Sequence, residues 1–340
     1  VQQTLAIAIF LRGPETNSDE PAQIRYREIS GRQAEKYEAL QEIGLDDDGW
    51  RETRTDWQAP FTPAAESDWD EFPAISDLMP WTAAGVKANR TWVYSPSRSL
   101  LKKRWDLVVA EKDEEEKAKL FKESRDANLT KVKKPLAGAP SNQFEGPFKD
   151  ETGDFQEPAR TYYRAFDRQL VIPDSRLLHG PSPDLWAARV PGQLFVIEQH
   201  SKILADGPGL LFTNLIPDQD AFVAPGGGGS RALPLLHPDG SANFAPELIE
   251  ALSEKLDLDL EPIDLLAYVA GVVGHPAFVE TFLDELNTPG MRVPITADPE
   301  LFGEAVEVGK RILWLHSFGE AGFLSPSNID LEYPVGDERR

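Results

Sequence analysis

Apolar and polar positions follow three different rhythms along this chain. Thr4-Leu-Ala-Ile-Ala-Ile-Phe-Leu11 is a continuous apolar run of strand length, the pattern of a strand buried on both faces of a sheet. Gly13-Pro14 ends it, and Ile24-Arg-Tyr-Arg-Glu-Ile29 then alternates as a half-exposed strand does. Ser30 is placed to cap a helix running to about Ile43, with Ala34, Tyr37 and Leu40 on one stripe. Residues 46–76 are rich in Asp, Trp and Pro without a steady period and read as a linker. Beyond Asp77 a charged helical stretch runs from Ser97 to Leu129, and a loop-like one from Lys131 to Pro158. Strands are predicted near Leu194–Glu198 and Leu210–Leu215.

The last hundred residues carry the helical rhythm. Leu248, Ile249, Leu252 and Leu256 share a face after Pro246, and Pro262 suits the first turn of the next helix. Ile263 to Val273 is almost wholly apolar and belongs in the core. Pro276 opens a third helix and Pro299 a fourth, with Leu301, Ala305, Val308, Ile312 and Leu315 in register. The fold class that follows is α+β (mixed α/β), with a β-rich portion before a helical C-terminal region.

Cysteine is absent, which excludes disulfides and thiolate chemistry. No apolar run reaches the length of a membrane span, and no positive flank precedes the first apolar run as a secretory signal requires. A cytoplasmic protein is expected, and an opening inside an apolar strand suggests a piece of a longer polypeptide. The net charge of -22 argues against a polyanionic partner, yet the charge is unevenly spread. Lys87 to Lys134 holds 14 basic against 8 acidic residues, whereas the segments on either side are both strongly acidic. That stretch is either a solvated charged helix or a phosphate-binding face; the acidic background suits solubility or a salty cytoplasm.

Catalytic constellations are missing. His179, His200, His237, His275 and His316 have no metal-ligand spacing. Glu115-Glu116-Lys117 after Asp106 has the letters of a nuclease motif but lies in a charged helical run without flanking strands. Pro225-Gly-Gly-Gly-Gly-Ser230 lacks the Lys-Ser or Lys-Thr pair of a phosphate-binding loop.

Five short segments in fixed order carry a resemblance. Gly85-Val-Lys-Ala-Asn-Arg90 resembles a Gly-Val-Lys-Thr-x-Arg-Asp segment, with Thr91 in place of the Asp, and Tyr163-Arg-Ala-Phe-Asp-Arg168 resembles Tyr-Arg-Pro-Phe-Asp-x-Arg, with Ala165 in place of the Pro. Tyr268 to Pro276, Met291-Arg-Val-Pro294, and Glu300-Leu-Phe302 through Leu315-His316 complete the series. Together they are similar to the C-terminal part of type ISP restriction–modification enzymes, over residues 1 to 320. The resemblance implies that residues 1–45 close an adenine methyltransferase sheet, 46–76 link, 77–320 form a DNA target-recognition domain and 321–340 a tail. It also implies that S-adenosylmethionine and catalysis belong to an upstream domain, since neither the Asp/Asn-Pro-Pro-Tyr signature nor the glycine-rich methyl-donor loop occurs here.

The partner so implied is double-stranded DNA, beside the upstream methyltransferase domain of the same polypeptide. Candidate phosphate contacts are Lys87, Arg90, Arg98, Lys102, Lys103, Arg104, Arg160, Arg164 and Arg176, with Lys102-Lys103-Arg104 the densest point. Each has a structural alternative: Arg164 could pair with Asp167 in the core, and Tyr162, Tyr163, Phe166, Trp81, Trp92 and Trp105 could be packing aromatics. Two other functions stay open, an acidic protein-interaction scaffold and a carbohydrate-active protein using the Trp and Asp residues around Trp50 to Trp69.

Overall fold

The computed structural model describes residues 7–14, 16–17, 19–53, 68–140, 144–199, 209–222, 229–283, 285–287 and 290–324. The chain forms two compact units, Val1–Ser67 and Asp68–Arg340. In the first, β1 (Arg25–Tyr26) pairs antiparallel with β2 (Arg51–Glu52), and α1 (Gln33–Glu42) lies between them in sequence. The helix starts beyond Ser30, where the Arg32 N–H donates to the Glu35 carboxylate at 2.6 Å. Two expectations fail here. Residues 7–11 form no strand and leave Ile7, Ile9, Phe10 and Leu11 exposed, while α1 buries none of its residues. An apolar stripe is buried only where a facing surface exists, and the described residues of this unit supply none; residues 4–6 lie outside the described part.

The second unit holds two four-stranded sheets and most of the helices. Its first half contains α2 (Ile75–Leu78), β3 (Ala83–Ala84), β4 (Tyr94–Ser95), α3 (Arg98–Ala110) and α4 (Glu114–Phe121). The hairpin β5 (Ala159–Arg164) and β6 (Asp167–Val171) follows, then α5 (Pro183–Ala187), β7 (Phe195–Gln199), β8 (Leu210–Thr213), β9 (Ile216–Pro217) and β10 (Ser230–Pro234). The chain ends in α6 (Leu248–Leu256), α7 (Pro262–Val273), α8 (Pro276–Thr281) and α9 (Pro299–His316). One sheet has the order β3-β10-β7-β8, all antiparallel; the other runs β4-β6-β5-β9, with β5 and β9 parallel.

Strand periodicity explains how these layers stack. Val196 sits opposite Phe212 and Leu233 in the ladders, and this face packs on the helical layer with Leu265, Leu266 and Val269. Ile197, one residue on, sits opposite Leu211 and Ala232 and faces the other way, where Ile197 and Leu211 meet Tyr162 of the second sheet. The first sheet is therefore covered on both faces at its centre, where Phe195–Ile197 of β7 and Leu210–Phe212 of β8 are uninterrupted apolar runs. A second core beneath it gathers Trp92, Leu101, Trp105, Phe121 and Phe148.

Segment 68–76, expected within the linker, contributes to the second unit. Trp69 is buried 5.1 Å from the Phe282 ring, and Ile75 N–H donates to the Met291 carbonyl at 2.8 Å. Trp50 of the other unit donates its indole N–H to the Gly44 carbonyl at 2.8 Å. Trp57 lies outside the described residues, as do Pro225 through Gly228. Among the described residues no helix is long and apolar enough to cross a membrane.

Helices α7 and α9 touch through glycines. A methyl at Gly309 would lie 1.7 Å from the Ala267 carbonyl oxygen, and one at Gly271 would lie 2.1 Å from that of Ala305. The buried face of α9 is accordingly Phe302, Val306, Gly309 and Leu313, while Leu301, Val308 and Leu315, expected in the core register, are exposed. Removing a helix-interior glycine usually gains up to about 1 kcal/mol. Gly303→Ala, whose methyl meets nothing within 4 Å, should show that gain, whereas Gly309→Ala should lose about 1–3 kcal/mol through overpacking. Denaturant melts that gave both variants the same sign would contradict the close helix contact.

Candidate nucleic-acid interface

Gly85-Val-Lys-Ala-Asn-Arg90 threads between neighbouring loops. Gly85 has no room for a side chain, since a methyl there would sit 2.5 Å from the Gln219 nitrogen. Val86 exchanges backbone hydrogen bonds with Pro217 and Gln219, and Lys87 exchanges a pair with Gly180, all at 2.8 Å. Asn89 turns through a positive φ of 56°, which an Asn tolerates better than most residues. The turn aims Arg90 inward.

Arg90 is 4% exposed. Its guanidinium donates to the carbonyls of Lys122, Ala127 and Leu177 and to the Ser124 hydroxyl, and it lies 4.8 Å from the Phe121 ring centre. Burial lowers its pKa to about 10, partly countered by Glu123, so it remains charged at neutral pH. This removes Arg90 from the candidate DNA contacts. It clamps a loop rich in exposed cations.

That loop, residues 122–134, contains the cations Lys122, Arg125, Lys131, Lys133 and Lys134, all exposed except the half-buried Lys133. Arg125 pairs with Asp126 at 2.9 Å, and the same carboxylate lies 4.0 Å from Lys131 and 3.2 Å from His179. Glu123, the loop's other acid, accepts the Leu129 N–H at 2.8 Å. Lys133 donates to the Leu178 carbonyl at 2.7 Å, and burial together with the neighbouring Lys131 and Arg90 charges lowers its pKa to about 8. Lys87 approaches Asp220 at 3.6 Å on the adjoining edge. Cations outnumber acids in the loop, and the uncompensated positive charge of the Lys87 to Lys134 segment concentrates here.

Elsewhere the candidates divide by burial. In α3, Lys102 pairs with Asp106 at 2.6 Å, Lys103 is exposed without an ion partner among the described residues, and Arg104 turns inward to donate to the carbonyls of Tyr94 and Trp92 at 2.8 and 3.3 Å. The three are therefore no common phosphate clamp, because helical spacing sends Arg104 to the core side. Arg98 pairs with Glu157 at 2.7 Å. Arg176 is 1% exposed, held by Asp174 at 2.6 Å and Glu151 at 2.5 Å under the Phe144 ring; it has no surface to offer. Arg160 and Arg168 share Glu320 at 2.7 and 2.6 Å.

Arg164 pairs with Asp218 at 2.8 Å, not with Asp167, and lies 4.0 Å from the Tyr163 ring centre. Buried Asp218 also accepts from the Tyr94 hydroxyl at 2.7 Å, and burial raises the pKa of both groups. The hairpin turn projects Phe166, 53% exposed, with its ring edge-on to His316 at 4.9 Å. Ala165 uses the N–H that a proline would lack to bond the Ala221 carbonyl at 3.1 Å. Trp92 and Trp105 are buried, and Trp81 stacks on His237 at 4.8 Å. Lys117 of the nuclease-like letters donates to the Lys149 carbonyl at 3.1 Å, and no group of three metal-ligating residues occurs among the described residues.

Two variants separate clamp from surface pair. Arg90→Met should cost about 3 kcal/mol by orphaning buried carbonyls, whereas Lys102→Ala should stay within about 0.5 kcal/mol. A clamp variant as stable as the parent would show that the loop is held by other contacts.

His316 gives a pH test. Burial lowers its pKa to about 4, and its Nδ1 accepts the Phe212 N–H at 3.3 Å. As pH falls below about 6.5 the unfolded chain takes up this proton and the folded one does not. Stability is therefore lost between about pH 6.5 and pH 4, by roughly 2–3 kcal/mol. His316→Asn, which keeps an acceptor but does not titrate, should lose that much less over the same interval; parallel pH profiles for parent and variant would refute the assignment.

The family profile described as the Type ISP C-terminal specificity domain matches residues 77–339. No curated protein matches the chain. Among solved structures it is similar to the cryoEM structure of a DrdV–DNA complex, with TM-score 0.56 and 19% identity over 84% of this chain and 29% of that one. It is also similar to the ATP-dependent Type ISP restriction-modification enzyme LlaBIII bound to DNA, with TM-score 0.58 and 14% identity over 87% and 20% of the two chains. A nuclease-deletion mutant of the Type ISP enzyme LlaGI, in complex with a DNA substrate mimic, gives 0.50 and 16% over 84% and 22%. The chain spans less than a third of the length of each of these proteins, and at such identities the likeness is one of fold. With the profile covering most of its length, this chain belongs to the Type ISP C-terminal specificity domain family.

Proposed function

We propose that this chain reads the DNA target for a Type ISP restriction–modification enzyme. In this reading an upstream domain of the same polypeptide binds S-adenosylmethionine and methylates an adenine in the cytoplasm, and the present chain selects the sequence. An adenine must leave the duplex to be methylated, and the enzyme that extrudes it needs a separate surface to choose where. The observation that carries the reading is the clamped loop 122–134. On a chain of net charge -22 it gathers Arg125, Lys131, Lys133 and Lys134 beside His179 and Lys87. Arg90 fixes that loop from beneath, so its cations are held without the loop having to order on contact. The solved relatives are complexes with DNA or with a DNA substrate mimic, which agrees with this use of the fold.

The experiment is a salt titration of duplex binding by the complete polypeptide. Each phosphate contact contributes about 0.9 to the slope of log affinity against log salt. Replacing Arg125, Lys131 and Lys134 with Ala together should flatten the slope by roughly two to three, for all sequences alike. The pair Lys102→Ala and Lys103→Ala should change it by less than about one. An unchanged slope in the loop variant would remove the loop from the interface; a parent without affinity for any duplex would leave the protein-interaction scaffold as the better reading.

A further inference from the structure

Phe166 is a large aromatic residue with a φ of 57°, in the left-handed region where a bulky side chain is strained. Such a conformation persists only where its surroundings impose it. Here they do. The Phe166 N–H donates to the buried Tyr162 hydroxyl at 2.8 Å, and the Ala165 N–H donates to Ala221. On either side, Arg164 is tied to Asp218 and Arg168 to Glu320. The result is a braced hairpin tip whose aromatic ring meets His316 edge-on at 4.9 Å and leaves Phe166 53% exposed.

A chain of contacts links the tip to the basic loop. Ala221, bonded to Ala165, follows Asp220, which meets Lys87; Lys87 is paired with Gly180, and the adjoining His179 meets Asp126 of the loop. Arg164 and Arg168 flank the turn, and Arg160 joins them by sharing Glu320 with Arg168, while the Asp218 partner of Arg164 is buried. A half-exposed aromatic flanked by arginines, each held in an ion pair with Asp218 or Glu320, fits a nucleic acid better than an apolar protein surface, since guanidiniums suit phosphates and a π-face suits any base.

We propose, building on the DNA-recognition reading, that Phe166 is a stacking wedge. Its ring inserts at a base step of the bound duplex and takes the place of a stacking neighbour, while the surrounding arginines stay in the phosphate field. The wedge acts after docking, so it changes affinity without changing the number of ions released.

The test uses the complete polypeptide and a duplex that it recovers from a random-sequence pool, with 2-aminopurine placed at successive positions. Binding of the parent should raise fluorescence at one step, where stacking is broken. Phe166→Gly should weaken binding about tenfold, as loss of one stacked base does, abolish the fluorescence rise and leave the salt slope unchanged. The same variant relieves the positive φ but loses the ring contact with His316, so its melting temperature should stay within a few degrees of the parent's, which separates a binding role from a folding one. Phe166→Trp should retain the signal. Equal affinity and equal fluorescence for parent and Phe166→Gly would overturn the wedge while leaving DNA recognition intact. Failure of the parent to recover any duplex would overturn recognition, and the wedge with it.

Discussion

Three backbone carbonyls and one hydroxyl converge on the buried guanidinium of Arg90, and the basic face of the second unit is arranged around that convergence. Arginine suits the position because its planar fork presents five N–H donors at fixed angles, whereas a lysine has one compact head. The drop in pKa to about 10 records the desolvation that the contacts must offset. What the clamp secures is a loop whose own sequence is too charged to bury. Phe121 at the end of α4 closes the other side of the guanidinium, so the loop leaves the core at a defined point.

The strong acidity of the chain and a polyanionic partner are compatible because electrostatic fields are local in salt. At physiological ionic strength exposed charges are screened over about 8 Å. A phosphate at the loop is governed by Arg125, Lys131 and their neighbours, not by distant acids. Away from the loop the acidic surface repels a duplex and so disfavours misplaced binding. Where the face does hold acids, they are engaged: Asp126 with Arg125 and His179, Asp218 with Arg164 and Tyr94.

The sequence was most informative where burial leaves a compositional mark. α7 is almost wholly apolar and β7 and β8 are largely apolar runs, so each was legible as core. It misled at α9, where the periodic leucines looked like the packing face and glycines do the packing; a glycine contributes no hydrophobic signal. It also misled at residues 7–11, whose apolar run has no facing surface among the described residues of its unit. The basic segment was legible as a charge excess between Lys87 and Lys134, but the roles within it were not. Arg90, Arg104 and Arg176 look like Arg125 in one dimension, and only the fold turns three of them toward carbonyls and carboxylates. Asp218, the partner of Arg164, lies too far along the chain for spacing to reveal it.

Hydrogen–deuterium exchange of the complete polypeptide, with and without a duplex it selects, tests the central claim most directly. Bound DNA should slow exchange in residues 122–134 and in the hairpin tip 164–168, and leave the exposed side of α3 around Lys102 and Lys103 unchanged. Slowed exchange confined to α3 or to the acidic helices, with the loop and the hairpin tip unaltered, would contradict it.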